Sequence, residues 1–366
     1  MVTLEAILDR NNLNRAWKRV VKNKGSAGVD GMKVKDLQAH LREQGPELVQ
    51  SIKEGSYKPQ PVLRVLIPKE EKGKFRPLGI PTVTDRLVQQ AVQQKLSEEY
   101  EQVFKDSSHG FRPNKSCHTA LKQSLKYANE SYRWVVDLDL AKFFDTVNYT
   151  KLLQLLSDRI KDGRVISLIH KMLRTPIKEG DKITPCTIGT PQGGPISSTL
   201  ANVVLYELDK ELEKRGHRSV RYADDMMIFC KSRKAAERTL KHIKPFIEKK
   251  LFLQLNDRKT KIRNITSVDV KFLGFGFWAD RGGVIKARPH KKSKDKCKAR
   301  LKALTNRNRG QSLDSFRKKL AEFVRGWVNY FRETAMVVFV KETDQWLRRR
   351  IRQIYWKQWK KISTKY

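Results

Sequence analysis

Apolar residues recur at helical spacing at Leu4, Ile7, Leu8, Leu13, Ala16, Trp17, Val20 and Val21. This predicts an amphipathic helix over 3–23, interrupted near Asn11-Asn12 and ended by Gly25, Gly28 and Gly31. Residues 33–52 read as more helix, with a break at Gly45-Pro46. The period then changes. Residues 62–67 alternate, a charged turn covers 69–74, and 75–80 follow, which predicts a hairpin with a basic tip. A helix opens at Thr84-Asp85 and runs through Leu87, Val88, Ala91, Val92 and Leu96. Residues 107–113 form a loop, and another helix spans 116–129. Trp134 to Leu140 reads as a strand with Asp137 and Asp139 on one face and Val136, Leu138 and Leu140 on the other.

Helical spacing returns over 152–173. It returns again over 196–212, after the Gly-rich bend Thr190-Pro191-Gln192-Gly193-Gly194-Pro195. Val220 and Tyr222 before Asp224-Asp225, and Met227 and Phe229 after, predict two strands meeting at a tight turn. A basic helix over 234–250, a strand over 251–255 and an aromatic strand pair over 271–277 follow. From about 288 the pattern is helical, through Leu313, Phe316, Leu320, Phe323, Val324, Trp327, Tyr330 and Phe331 to Trp346, Leu347, Ile351, Ile354 and Tyr355. A small bundle is expected, with these aromatics in its core.

Charge adds what periodicity cannot. The 366 residues include 77 Lys+Arg against 39 Asp+Glu, a net charge of +38, and 288–366 alone holds 24 basic and 6 acidic residues. So large a charge repels itself in a compact fold unless a polyanion is bound, and nucleic acid is the natural one. The basic residues are spread along the chain, which argues against a membrane surface as the partner. No apolar run approaches transmembrane length, and the polar N-terminus lacks a signal core. Cys117, Cys186, Cys230 and Cys297 form no metal-binding spacing, so reduced, mostly buried thiols and a cytoplasmic location are expected.

The candidate chemistry lies in the acids. Two adjacent aspartates are ordinary in a solvated turn. If the strand bearing Asp139 lies beside the Asp224-Asp225 hairpin, however, three carboxylates converge into an oxygen-rich site suited to Mg²⁺. Two such ions about 3.5–4 Å apart clamp an in-line phosphoryl displacement. Lys69 and Arg76 could grip a triphosphate or be solvated hairpin charge.

In order along the chain stand GVDGM, IPK, RPLGIPTVTDRLVQQAV, SHGFRPNKS, VVDLDLAKFFDTVN, GTPQGGPISSTLANVVL, RYADD, FLGFGF and RGWVNYF through WKQWK. With these the sequence resembles the group II intron-encoded reverse transcriptases, or maturases, over nearly its whole length. The resemblance implies an α+β right-hand polymerase, with fingers and an antiparallel palm sheet followed by an all-α thumb. Fingers and palm would occupy 1–287: an N-terminal extension over 1–31, a finger hairpin over 62–80, and mostly palm over 132–287. The thumb, or maturase domain, would occupy 288–366.

The resemblance further implies metal ligation by Asp139, Asp224 and Asp225, with the Leu140 carbonyl as an extra ligand. Asp139 is preferred to Asp137 because the family's acid stands five residues before the second Phe. Phe144 would be a steric gate against a ribose 2′-hydroxyl, and Gln192 would line the nucleotide pocket. Lys69 and Arg76 would hold the triphosphate, and Lys259 would act near the leaving group as a general acid. Phe272, Leu273 and Gly274 would grip the primer.

The implied cofactors are two Mg²⁺ ions, with Mn²⁺ as a substitute. The implied partners are an RNA template with a DNA or RNA primer, dNTPs and group II intron RNA, with no membrane. Family members usually continue into a DNA-binding domain. This chain ends at Tyr366, so the bacterial class lacking an endonuclease, in C-terminally short form, is expected. The competing reading is an RNA-binding maturase that stabilises intron RNA. An RNA-templated RNA polymerase is disfavoured by Phe144, where a small residue would be expected.

Overall fold

The computed structural model describes residues 1–68, 73, 75–190, 193–308, 310 and 312–359. The chain packs as two compact units interleaved in sequence. One holds Met1–Ala120, Leu138–Ile228 and Glu237–Lys261; the other holds Leu121–Asp137, Phe229–Ala236 and the described residues from Ile262 on.

Helices α1 (Leu4–Leu8) and α2 (Arg10–Asn23) open the first unit. Their interruption falls at Asp9, two residues before the expected place, because its carboxylate caps α2 by accepting from the Asn11 and Asn12 amides at 2.9 and 3.2 Å. Helix α3 (Leu37–Lys53) runs through Gly45-Pro46, where a break was expected. Proline forfeits one helical hydrogen bond, but packing holds the turns on either side. Leu37 and Leu41 lie with Val20 and Val83 in one apolar cluster, and Ile52 is buried.

Strands β1 (Val62–Pro68) and β2 (Phe75–Ile80) form the expected hairpin, in register from Leu63↔Ile80 to Pro68↔Phe75. Thr82 caps α4 (Val83–Glu101), and α5 (Cys117–Asn129) precedes β3 (Trp134–Leu138). Beyond β3 come α6 (Phe143–Thr146), α7 (Tyr149–Ser157) and α8 (Gly163–Leu173). The single helix expected over 152–173 is therefore two. Asp162 caps α8 through the Arg164 amide at 3.0 Å and also accepts the Leu4 amide at 2.9 Å. An unforeseen hairpin, β4 (Ile177–Glu179) and β5 (Lys182–Thr184), extends the first into a sheet of order β2-β1-β4-β5, with β1 and β4 parallel.

Helix α9 (Ser197–Lys214) leads to β6 (Arg218–Tyr222) and β7 (Asp225–Cys230), and α10 (Arg233–Lys249) follows. Residues 251–255 carry a bridge, Leu140↔Leu255, in place of a strand. With β8 (Lys261–Asn264) the strands form a sheet of order β6-β7-β3-β8.

In the second unit, β9 (Phe275–Ala279) pairs antiparallel with β10 (Ile285–Pro289). Helices α11 (Lys291–Leu304), α12 (Leu313–Phe331) and α13 (Val337–Gln358) then follow. Cys297, Leu301 and Phe339 are buried together, with Leu320, Phe323, Val324, Trp327, Trp346 and Leu347 packed around them. The C-terminal aromatics Phe323, Trp327 and Trp346 thus pack the core as expected. All four cysteines are free thiols, three of them buried. Among the described residues, no helix is long and apolar enough to cross a membrane.

Candidate functional site

The hairpin of β6 and β7 turns on two residues, Ala223 and Asp224. Ala223 takes φ 57°, the left-handed value that a type II′ turn asks of its first central residue and that glycine usually supplies. For a residue with a Cβ this conformation costs about 1–2 kcal/mol, so the surroundings must hold it.

Arg221 does much of the holding. It is fully buried, where an unpaired guanidinium would be very costly. Its Nε and Nη2 donate to the Asp209 carboxylate at 2.9 and 2.5 Å. Nη1 donates to Asn202 Oδ1 at 2.8 Å and Nη2 to Ser108 Oγ at 2.8 Å. Nη1 also donates to the Ala223 carbonyl, at 3.0 Å, which ties the network to the strained turn. Asn202 and Asp209 stand seven residues apart on α9, two turns along one face, so one helix presents both acceptors.

The 107–113 loop backs the turn from another side. The His109 amide donates to the Arg221 carbonyl at 2.8 Å, and the Arg221 amide donates to Ser107 O at 2.7 Å. Asn202 Nδ2 donates to Gly110 O at 2.8 Å. Gly110 lies so close to the turn that a Cβ there would overlap the Ala223 amide nitrogen. Arg112 clamps the loop through a two-pronged contact with Glu101 at 3.0 and 2.8 Å and a bond to the Ser108 carbonyl at 2.8 Å. Burial, reinforced by a hydrogen bond with the Cys117 thiol, pushes the Tyr222 phenol up to about 12. Asp224 is half-buried in the turn, and Asp225 is exposed at the start of β7.

Asp139 lies just beyond β3 and is held by its backbone. Its carbonyl accepts from the Asn256 amide at 2.9 Å, and its amide donates to Thr260 Oγ1 at 3.3 Å. The Ala141 amide donates to Gln254 O at 2.8 Å. Leu140 is therefore the non-hydrogen-bonded member of its bridge with Leu255, and its own carbonyl points away from Leu255. The Asp139 carboxylate meets Lys259 Nζ at 3.5 Å. Lys259 is 67% exposed, so this is a surface pair of small worth.

Phe144 sits on α6, half-buried, its ring edge-on to Phe143 with centroids 5.3 Å apart. The Thr190 amide donates to Phe144 O at 2.6 Å and the Gly189 amide to Val147 O at 2.9 Å, which stitches α6 to the approach of the Gly-rich bend. Gly189 (φ 87°) passes against the Asp145 backbone, and a Cβ on Gly193 (φ 123°) would overlap the Gly79 carbonyl of β2. Phe144, the bend and β2 thus come together around a cavity of about 390 Å³, lined also by Arg64 and Pro77. Arg76 is exposed on β2, paired in register with Ile67. Lys69 and Gln192 lie outside the described residues.

In the second unit, the Phe272 and Phe275 amides exchange hydrogen bonds with each other's carbonyls at 3.0 and 2.8 Å across a two-residue turn. Leu273 (φ 51°) and Gly274 (φ 86°) are both left-handed, the type I′ pattern. Tyr330 of α12 donates its hydroxyl to Leu273 O at 2.8 Å, and Ser293 of α11 donates to Gly274 O at 2.8 Å. Phe275 stacks on Tyr330 at 5.3 Å and meets Phe331 edge-on at 5.1 Å.

The structure brings Asp139 to Lys259, and it brings Phe144 to the bend and β2. It also sets β3 beside β7 in one sheet. Among the described residues, no group of three or more His, Cys, Asp or Glu side chains already arranged to hold a metal ion is found. The donor chemistry of Asp139, Asp224, Asp225 and Leu140, carboxylate and carbonyl oxygen only, fits a hard divalent cation.

Sequence reading missed Arg221, Asp209 and Asn202. Alternation along β6 sets Arg221 opposite Val220, on the face expected to be wet, yet both are buried. Asp209 offered a usable signal: on α9 it falls beside Leu205, Leu208 and Leu212, and an acid on an apolar helix face needs a buried cation.

Residues 67–277 match the reverse transcriptase (RNA-dependent DNA polymerase) family, to which the chain therefore belongs. Residues 294–366 match the group II intron maturase-specific domain, so the resemblance to group II intron reverse transcriptases holds at both ends. The chain is 34% identical over 335 residues to the group II intron-encoded protein LtrA of Lactococcus lactis subsp. cremoris, covering 74% of this chain and 55% of LtrA. It thus spans about half the length of that relative. It is also 34% identical to protein YkfC of Escherichia coli, covering 68% of this chain and 74% of YkfC. A putative COX1/OXI3 intron 2 protein of Saccharomyces cerevisiae is 38% identical over 170 residues, covering 46% of this chain and 20% of that protein. The mixed helix-and-strand architecture with an all-helical C-terminal segment agrees with the expected fold class.

Proposed function

We propose that this chain is an RNA-directed DNA polymerase that extends a primer 3′-hydroxyl with dNTPs on an RNA template, and that it also binds group II intron RNA. The observation that carries the reading is the extent of the family match: 67–277 contains Asp139, Asp224-Asp225, Phe144 and Lys259 together. Reverse transcriptases use divalent metal ions. Here Asp139, Asp224, Asp225 and the Leu140 carbonyl would hold two Mg²⁺ or Mn²⁺ ions, which when bound supply charge neutralisation to the triphosphate and to the attacking oxygen.

The chain's own residues do the rest. Arg76, with Lys69, binds the triphosphate and orients its α-phosphorus in line with the primer hydroxyl. The bond from that hydroxyl oxygen to phosphorus forms as the bond to pyrophosphate breaks, and the hydroxyl's proton passes to solvent water. Lys259 has its ammonium 3.5 Å from Asp139 and delivers a proton to the departing pyrophosphate. Phe144 excludes a 2′-hydroxyl by bulk, with Gln192 beside it. Phe272, Leu273 and Gly274 hold the primer end. The maturase-domain match and the basic C-terminal segment support the intron RNA partner.

Extension of a DNA primer on an RNA template tests the reading. Asp224→Ala is expected to lower the rate by at least about 10³-fold while RNA binding survives. Joint loss of both would make the carboxylates structural. In the same assay Phe144→Ala is expected to admit ribonucleotides, and unchanged discrimination would remove the gate assignment.

A further inference from the structure

The buried cation next to the acid-bearing turn is used by no step above, and its surroundings are built with unusual completeness. Arg221 is fully buried, and three side chains and a backbone carbonyl receive its donors. That carbonyl belongs to Ala223, the left-handed residue immediately before Asp224. The same Asn202 that receives Arg221 also donates to Gly110, whose backbone presses on the Ala223 amide. The two peptide groups flanking Ala223 are thereby both approached by one network anchored on α9: its carbonyl is hydrogen-bonded by Arg221 and its amide nitrogen packs against Gly110. A guanidinium is needed for this because only a rigid planar fork can serve a carboxylate, an amide, a hydroxyl and a carbonyl at once.

We infer that Arg221, held by Asp209 and Asn202, is a positioning residue that sets the direction of the Asp224 and Asp225 carboxylates and so the turn's affinity for divalent cations. The inference rests on the polymerase reading for its effect on extension but not for its effect on cation binding. It differs from a merely structural salt bridge in a testable way. Removing both charges of a buried pair leaves no unpaired charge and is often neutral for stability, yet it takes the Arg221 donor from Asn202, Ser108 and the Ala223 carbonyl.

The experiment compares the parent chain with Arg221→Lys and with the double variant Asp209→Leu/Arg221→Met. It measures thermal melting, primer–template binding by anisotropy, extension against Mg²⁺ concentration, and Mn²⁺ binding by electron paramagnetic resonance without nucleotide. Folded variants are expected to bind the duplex within about twofold of the parent, because phosphate contacts elsewhere dominate that affinity. Their half-saturating Mg²⁺ should rise at least about fivefold and their extension rate at saturating Mg²⁺ should fall about tenfold, the scale set by small misplacements of reacting groups. Mn²⁺ affinity should fall in parallel. A folded variant with parental Mg²⁺ midpoint and Mn²⁺ affinity overturns the inference, and so does failure of both variants to fold, which would leave Arg221 a structural role alone. If the parent does not extend primers, the polymerase reading fails, while the Mn²⁺ titration still decides this one.

Discussion

Two hairpins, β1–β2 and β6–β7, carry charged residues of the proposed site, and they are built on opposite plans. The β1–β2 hairpin is held by its own ladder, with six register pairs, and the described residues of its outer half, 65–68 and 73, 75 and 76, are exposed. The β6–β7 hairpin is buried from Ser219 to Cys230 except at Tyr222, Asp224 and Asp225, and its backbone is gripped by Arg221, which α9 holds through Asn202 and Asp209, and by the backbone of the 107–113 loop. The difference follows the task each would have. A basic tip that meets a flexible triphosphate needs charge and reach, and long side chains on an exposed hairpin supply both. Acids that must meet cations at fixed distances need a backbone that does not move, and the strain at Ala223 is tolerated because the network outweighs it.

The sharpest way to break this contrast is Gly110→Ala. The added methyl overlaps the Ala223 amide, so the turn or the loop must shift. We expect a loss of about 1–3 kcal/mol in stability from overpacking and about a 10²-fold fall in extension from misplaced carboxylates, read by thermal melting and single-nucleotide kinetics. A parental rate would show that the turn tolerates displacement.

Arg76→Ala tests the other hairpin. The KM for dNTP should rise about tenfold, the worth of one charge-assisted contact, with melting temperature unchanged because the residue is exposed. A drop in stability instead would mean that Arg76 braces the hairpin.

The smallest effect is expected of Gly73→Ala at the same tip. No atom stands near the new methyl, and only the left-handed backbone, φ 78°, resists it. A cost of about 1–2 kcal/mol confined to that turn, visible as faster amide exchange there, should leave catalysis within about twofold of the parent.

The contrast was half legible in the sequence. Both hairpins announce themselves by alternation around a charged turn, and the acids stand out because charge in an apolar strand demands a reason. The grip on the second hairpin was not legible. It depends on α9 presenting Asn202 and Asp209 to a strand, and on the 107–113 loop running beside Arg221, neither of which any local pattern encodes. Element ends failed for equally local reasons. Asp9 caps α2 just before the Asn11-Asn12 break that the pattern predicts, Asp162 caps α8 inside a stretch that reads as one helix, and Pro46 is carried inside α3 by the packing on either side of it. The β4–β5 hairpin escaped notice because three-residue strands are too short for a period to show.

The Leu273-Gly274 turn has its own consequence. Its two carbonyls are taken by Tyr330, Ser293 and the His290 amide, while Phe275 just after it is wedged between two rings of α12. Like a stylus fixed to its arm, the turn must travel wherever α12 tilts. Anything the turn holds is therefore held by the helical segment as well.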